Sequence, residues 1–183
     1  MNLSKKRTYT LTVIAMMAAV TCILGPLSLA IPFSPVPISF TNLAIYFTLF
    51  LLGWKRGVLC YLLYLVIGLI GLPVFSGFTG GPSKLIGPTG GYLIGFILMA
   101  LIAGKCIEVF DGRRLLQMLG LALGTVVAYL FGTAWLCFLM KVSFAAGLGI
   151  GVLPFLPGDC VKIILAGLIG PVIRKRLKQS GYL

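Results

Sequence analysis

The chain has 183 residues, of which 60% are hydrophobic and only 10% charged, with a mean hydropathy of +1.12. A chain this apolar is an integral membrane protein, and at this length it leaves no room for a separate soluble catalytic domain. The net charge of +12 would point to nucleic acid in a soluble protein, but basic residues flanking apolar spans are ordinary topology signals, so nucleic-acid binding is rejected.

A helix crossing a hydrocarbon layer of about 30 Å needs about 20 residues, so the length admits about six spans with short loops. Lys5, Lys6 and Arg7 precede an apolar run from Tyr9 to Leu24 that stops at Gly25-Pro26. The length of that run, and the further spans behind it, make it a retained first helix rather than a signal peptide. Ala15 and Ala19, with Ala18 beside them, form a small-xxx-small face that lets another helix approach closely, either from a partner or from the same bundle. The segment Ile31 to Ser39, IPFSPVPIS, carries three prolines and reads as an extended connection.

A second span is predicted from about Phe40 to Leu52. Thr41 and Asn42 stand at its start, where they either cap the helix or reach into a cavity beside it. Gly53 to Gly57, GWKRG, is a tight basic turn with an interfacial Trp54, and a third span follows from Val58 to Leu72. From Leu72 to Tyr92 the chain is rich in Gly, Pro, Ser and Thr yet keeps Val74, Phe75, Phe78, Leu85 and Ile86. A solvated linker has little use for those side chains, so a lid folded back over the bundle is expected at about 73–91. The glycines lack the GxxxxGK[ST] spacing of a phosphate loop.

A fourth span is predicted from about Tyr92 to Ile107 and a fifth from about Leu116 to Met140. The stretch Ser143 to Gly151, SFAAGLGIG, is too short to span and reads as a loop or half-helix. The last span lies within Leu153 to Arg176. Twelve of the fifteen basic residues fall on the faces that six spans place together with the N-terminus; Lys84 and Lys141 lie opposite, and Lys162 is inside. Basic residues mark the cytoplasmic side, so both termini are expected there, with the proline segment and the lid outside. The fold class is therefore an all-α membrane protein, one domain over 1–183, with a bundle of six transmembrane helices.

Asp159 and Lys162 lie inside the last apolar stretch. Each such side chain costs about 2.5 to 3.5 kcal/mol at the centre of a membrane helix, so an ionised residue there normally faces a partner, a cavity or a substrate. Three residues apart they share a helix face, which leaves two readings open: a neutralising pair near an interface, or a binding site. Pro157 and Gly158, just before them, open a helix or free backbone groups at that depth. The five cysteines have no Cys-x-x-Cys spacing, there is no histidine, and the three acidic residues, Glu108, Asp111 and Asp159, are scattered. No metal or cofactor is expected, and no hydrolytic constellation is assembled, so the chain is not read as an enzyme.

Three runs resemble the hallmark segments of the biotin transporter BioY family, the substrate-binding components of energy-coupling factor transporters: GLPVF at Gly71 to Phe75, GPTGGYLIGF at Gly87 to Phe96 and PFLPGDCVK at Pro154 to Lys162. VPIS at Val36 to Ser39 sits in the expected place, so the likeness covers nearly the whole chain. The resemblance implies a six-helix protein that captures biotin from outside. It also implies a partner module of one transmembrane coupling protein and two ATP-hydrolysing subunits, ATP being used only there. It puts the family's acid and lysine on Asp159 and Lys162, its ligand-covering segment on Gly90, Gly91 and Tyr92, and its alanine docking pair on Ala15 and Ala19. Phe75 and Tyr92 are expected to cover the ring and chain of biotin, whose carboxylate or ureido head meets Lys162 and Asp159. At Thr41 the chain departs from the glutamine of many members, so Thr41 and Asn42 enter the candidate set by position. The alternatives are a substrate-binding component for another vitamin, or a channel or structural membrane protein.

Overall fold

A computed structural model describes residues 3–32 and 34–179, the backbone alone for residues 3–7. The side chains of Lys5, Lys6 and Arg7 thus lie outside the described residues. In order, the described elements are α1 (Leu3–Leu24), β1 (Ser28–Ile31), β2 (Ser34–Ser39), α2 (Thr41–Leu69), α3 (Pro82–Ile86), α4 (Gly90–Val109), α5 (Arg114–Met140), α6 (Phe144–Gly151) and α7 (Leu156–Gln179). Four of these helices are long and apolar enough to cross a membrane, α2, α4, α5 and α7, and Thr8–Leu24 forms a shorter apolar helix.

The all-α expectation needs one correction. The proline segment is not a lone extended strand: β1 and β2 pair antiparallel, Ser28 opposite Ser39 and Leu29 opposite Ile38. Pro35 and Pro37 are two apart in β2, so their missing N–H groups face one edge, and a two-stranded hairpin tolerates that on its unpaired side.

α2 is one element by hydrogen bonding but two limbs in space. Gly53, at φ 76° and ψ 178°, breaks the helix in a region that disfavours any residue with a Cβ. Beyond it the chain doubles back: a Cβ on Gly57 would touch Leu49, and Thr41 lies beside Tyr64. In a straight helix those last two would stand about 34 Å apart. The basic turn read from the sequence thus separates the two predicted apolar runs, folded against each other.

The core fills the space between these limbs, α4 and α5, with Tyr46, Leu49, Phe50, Tyr61, Tyr64 and Met99 among its buried side chains. Gly95 lies against the Ala128 backbone and Gly124 against that of Met99, which brings α4 and α5 together along their length. Backbones approach this closely where small residues line the contact. Outside, α5 and α7 expose Leu119, Leu123, Val126, Ile164, Leu168 and Ile169, the surface a lipid layer would cover.

The two ends of the bundle differ chemically. At one, the turn after Gly53 meets the α4–α5 connection: the Trp54 amide donates to Glu108 at 3.0 Å, and the ammonium groups of Lys55 and Lys105 lie over the Trp54 ring. Arg174, near the end of α7, donates to Asp111 at 3.3 Å and to the Phe50 carbonyl at 3.2 Å. The opposite end carries the β-hairpin, α3, α6 and the start of α7. The half-helix expectation is met by α6, whose N-cap Ser143 accepts from the Ala146 amide at 3.3 Å.

Candidate functional site

At the hairpin end a cavity of about 60 Å³ opens between β2, the start of α2, α4, α5 and the start of α7. Asp159 sits in the first turn of α7, with its amide bonded to the Phe155 carbonyl at 2.9 Å. Pro157 is tolerated there because the first helical N–H groups have no partner inside the helix. An anionic side chain in that turn is also favoured by the helix dipole. Pro157 and Gly158, which the sequence places just before the pair as residues that open a helix, form part of the opening turn of α7.

Lys162 and Asp159 are both buried, with the ammonium 2.8 Å from Asp159 Oδ1. The same Nζ donates to Asn42 Oδ1 at 3.0 Å and to the Ser39 carbonyl at 2.7 Å. An ammonium has three N–H donors, and each has an acceptor here. The second carboxylate oxygen of Asp159 accepts from the Tyr129 hydroxyl at 2.5 Å. One strand end and three helices thus converge on a neutral, fully bonded ion pair. That removes most of the penalty for burying two charges.

Of the candidates read from the sequence, the structure brings Thr41, Asn42, Tyr92, Asp159 and Lys162 to the cavity wall. Asn42 reaches the cavity rather than capping the helix: the N-cap of α2 is Phe40, with no side-chain cap hydrogen bond, and Asn42 Oδ1 accepts from the adjacent Leu43 amide at 3.0 Å. Thr41 accepts from the Ser39 hydroxyl at 3.2 Å. Tyr92 is fixed by its hydroxyl, which donates to the Gly151 carbonyl at 2.8 Å and lies 3.3 Å from the Thr133 hydroxyl.

The other five candidates fall elsewhere. Phe75 does not line the cavity: its ring is fully buried, edge-on to Tyr64 at 5.5 Å and under Gly68. The neighbouring Ser76 reaches the cavity instead. Gly90 and Gly91 are seats for backbone and ring, against Leu85 and Trp135 respectively, and the Trp135 indole donates to the Gly87 carbonyl at 3.1 Å. These contacts, with the Gly81 amide bonded to Gly68 at 2.7 Å, hold the glycine-rich segment on the bundle. Ala15 and Ala19 do not line the cavity; they are exposed on the outer side of α1, while Ala18 faces inward.

Tyr129, Phe155, Val36 and the Ser39 carbonyl were missed as site groups. Tyr129 carried a signal, since a hydroxyl in the middle of an apolar span needs a partner. The Ser39 carbonyl carried none, because every residue has one.

Residues 1–179 match the BioY family. The chain is 33% identical over 172 residues to a protein of Lactococcus lactis subsp. cremoris named biotin transporter BioY2, covering 94% of this chain and 93% of that one. It is 35% identical over 147 residues to the biotin transporter BioY of Thermotoga maritima, covering 80% and 86%. The crystal structure of the S-component for biotin from an ECF-type ABC transporter superposes with a TM-score of 0.88 at 33% identity, over 96% of this chain and 95% of that one. The chain belongs to the BioY family.

Proposed function

We propose that this protein captures biotin in the cavity walled by Asn42, Tyr92, Asp159 and Lys162, for uptake across the cytoplasmic membrane. It does so as the substrate-binding component of an energy-coupling factor transporter. The carrying observation is the buried pair, an ammonium and a carboxylate side by side on a cavity wall in a family of biotin transporters. A cyclic urea offers the complement of such a pair, a carbonyl acceptor flanked by N–H donors, its carbonyl taking the place of the Ser39 carbonyl on the Lys162 ammonium. The pair is neutral as it stands, so seating the valerate carboxylate on it would bury an uncompensated negative charge. The ureido head therefore goes to Asp159 and Lys162, and the carboxylate toward the hydrated mouth.

A cavity of about 60 Å³ is narrow for a bicyclic ligand, since sites for drug-sized molecules run to about 300 Å³ and more. Binding thus entails outward movement of the β-hairpin and of the segment at about 73–91, which acts as the lid. The six spans are α1, the two limbs of α2, α4, α5 and α7, with both termini cytoplasmic. The collection of Lys55, Arg56, Lys105, Arg114 and Lys175 at the end opposite the cavity supports that orientation. Ala15 and Ala19, exposed on α1, form the face that docks on the coupling protein, which works with two ATPase subunits.

The test is calorimetric titration of the detergent-purified protein with biotin, repeated on Lys162→Ala and Asp159→Ala. Tight binding weakened about a hundredfold by either change is expected, because each leaves a buried charge without its partner. Tight binding that neither change disturbs would remove the pair from the site. No binding by monodisperse protein would transfer the reading to another vitamin.

A further inference from the structure

Where the α4–α5 connection meets the last turns of α7, a second cavity of about 500 Å³ opens, lined by Asp111, Arg114, Pro171, Val172, Lys175 and Lys178 among others. Its charges do not balance. Asp111 is engaged by Lys178 and by Arg174, whereas Arg114 and Lys175 are exposed and have no ion-pair or hydrogen-bond partner among the described side chains. Arg114 is also the first residue of α5, so the positive end of that helix dipole adds to the field.

The surroundings select the kind of anion. Val172 on the cavity wall ends a row of exposed apolar residues on α7, Ile164, Leu165, Leu168 and Ile169. On α5, Leu115, Leu119, Leu123 and Val126 are exposed in the same way. An apolar surface that ends at two free cations is the shape of a site for an amphiphile, chains along the helices and an anionic head at the end. We infer that this cavity binds the phosphate of an anionic phospholipid through Arg114 and Lys175. The site lies at the opposite end of the bundle from the vitamin cavity and does not depend on what that cavity holds.

The phosphate could equally come from free solution, and the experiment separates the two. Native mass spectrometry of the full chain in detergent, titrated with dioleoylphosphatidylglycerol or dioleoylphosphatidylcholine, measures the affinity for each. The anionic lipid is expected to bind about fivefold tighter or better, given the attraction of each basic residue near a charged surface. Arg114→Gln with Lys175→Gln should erase the preference, Lys175→Gln alone should reduce it, and the charge-conserving Arg114→Lys with Lys175→Arg should keep it. A preference that survives in the glutamine variants would overturn the site. Full displacement of the lipid by millimolar inorganic phosphate would overturn the lipid assignment in favour of a soluble anion.

Discussion

The hydroxyl of Tyr129 stands 2.5 Å from Asp159 Oδ2, while Lys162 holds Oδ1 at 2.8 Å. The carboxylate is thus fixed from α5 and from its own helix at once. Tyr129→Phe removes a single donor and keeps the ring. A hydrogen bond to a charged group contributes about 1.5 to 3 kcal/mol, so biotin binding should weaken by about tenfold or more, with the bundle intact. Calorimetry gives the affinity and a thermal melt checks the fold. Unchanged affinity would mean that Tyr129 orients nothing the ligand uses.

If the ureido head meets the ion pair, the far end of the ligand carries little of the binding. Biotinamide, neutral where biotin is anionic, should bind within about tenfold of biotin, since a hydrated carboxylate loses little when replaced. Competition calorimetry makes the comparison. A loss of about a thousandfold would put the carboxylate on Lys162 instead.

Phe75, buried against Tyr64 and Gly68, anchors the segment that bears Ser76. A Cβ on Gly68 would drive into the Phe75 ring, which is fully buried and has little freedom to shift. Gly68→Ala should therefore destabilise the protein by about 1 to 3 kcal/mol. It should also speed biotin release, as the loop loses its seat. Stopped-flow dissociation with unaltered kinetics would show that the ring does not restrain the loop.

Ala15 and Ala19 are exposed together on the outer side of α1. Leucine at both positions would hold a facing helix away without touching the cavity. The double variant should bind biotin normally yet lose about tenfold or more in uptake by cells that co-express the coupling module. Uptake at the wild-type rate would move the docking face elsewhere.

Asp111 joins the α4–α5 connection to α7 through Lys178 and Arg174. Its hydrogen bond with the Lys178 ammonium, helped by the charge of that group and by Arg174, holds the carboxyl below the usual carboxylate range. The folded pKa is depressed, so the contribution is fully present above about pH 4, the unfolded value, and fades as the pH falls through the folded value. With the Asp111 side chain 40% exposed, it amounts to about 1 kcal/mol at most. Wild type should lose more thermal stability than Asp111→Asn between neutral pH and about pH 3. Parallel losses would show that the pairing is not stabilising.

Much of the architecture was legible because its causes are local. Apolar runs bounded by Gly, Pro and basic clusters marked the helices, and GWKRG marked the reversal at Gly53, where a positive φ required glycine. Ser143 at the head of α6 was legible as a boundary for the same reason. The β-hairpin was not, because two prolines in six residues hide a strand whose one free edge admits them. The placement of Phe75 was not legible either. An aromatic residue in a glycine-rich segment fits a ligand cover and a core plug equally well, and the opening beneath Gly68 exists only once α2 has folded back.

By itself the sequence determined that the chain lives in a membrane, where its long helices run, and that Asp159 and Lys162 share one face of the last of them. Those follow from composition and from the helical period, which act over a few residues. Only the tertiary structure decided which groups complete that pair. Asn42 and the Ser39 carbonyl come from more than a hundred positions away, and Tyr129 from another helix. Satisfying a buried charge requires whichever donors and acceptors the fold brings within about 3 Å, and no local pattern in the chain records that distance.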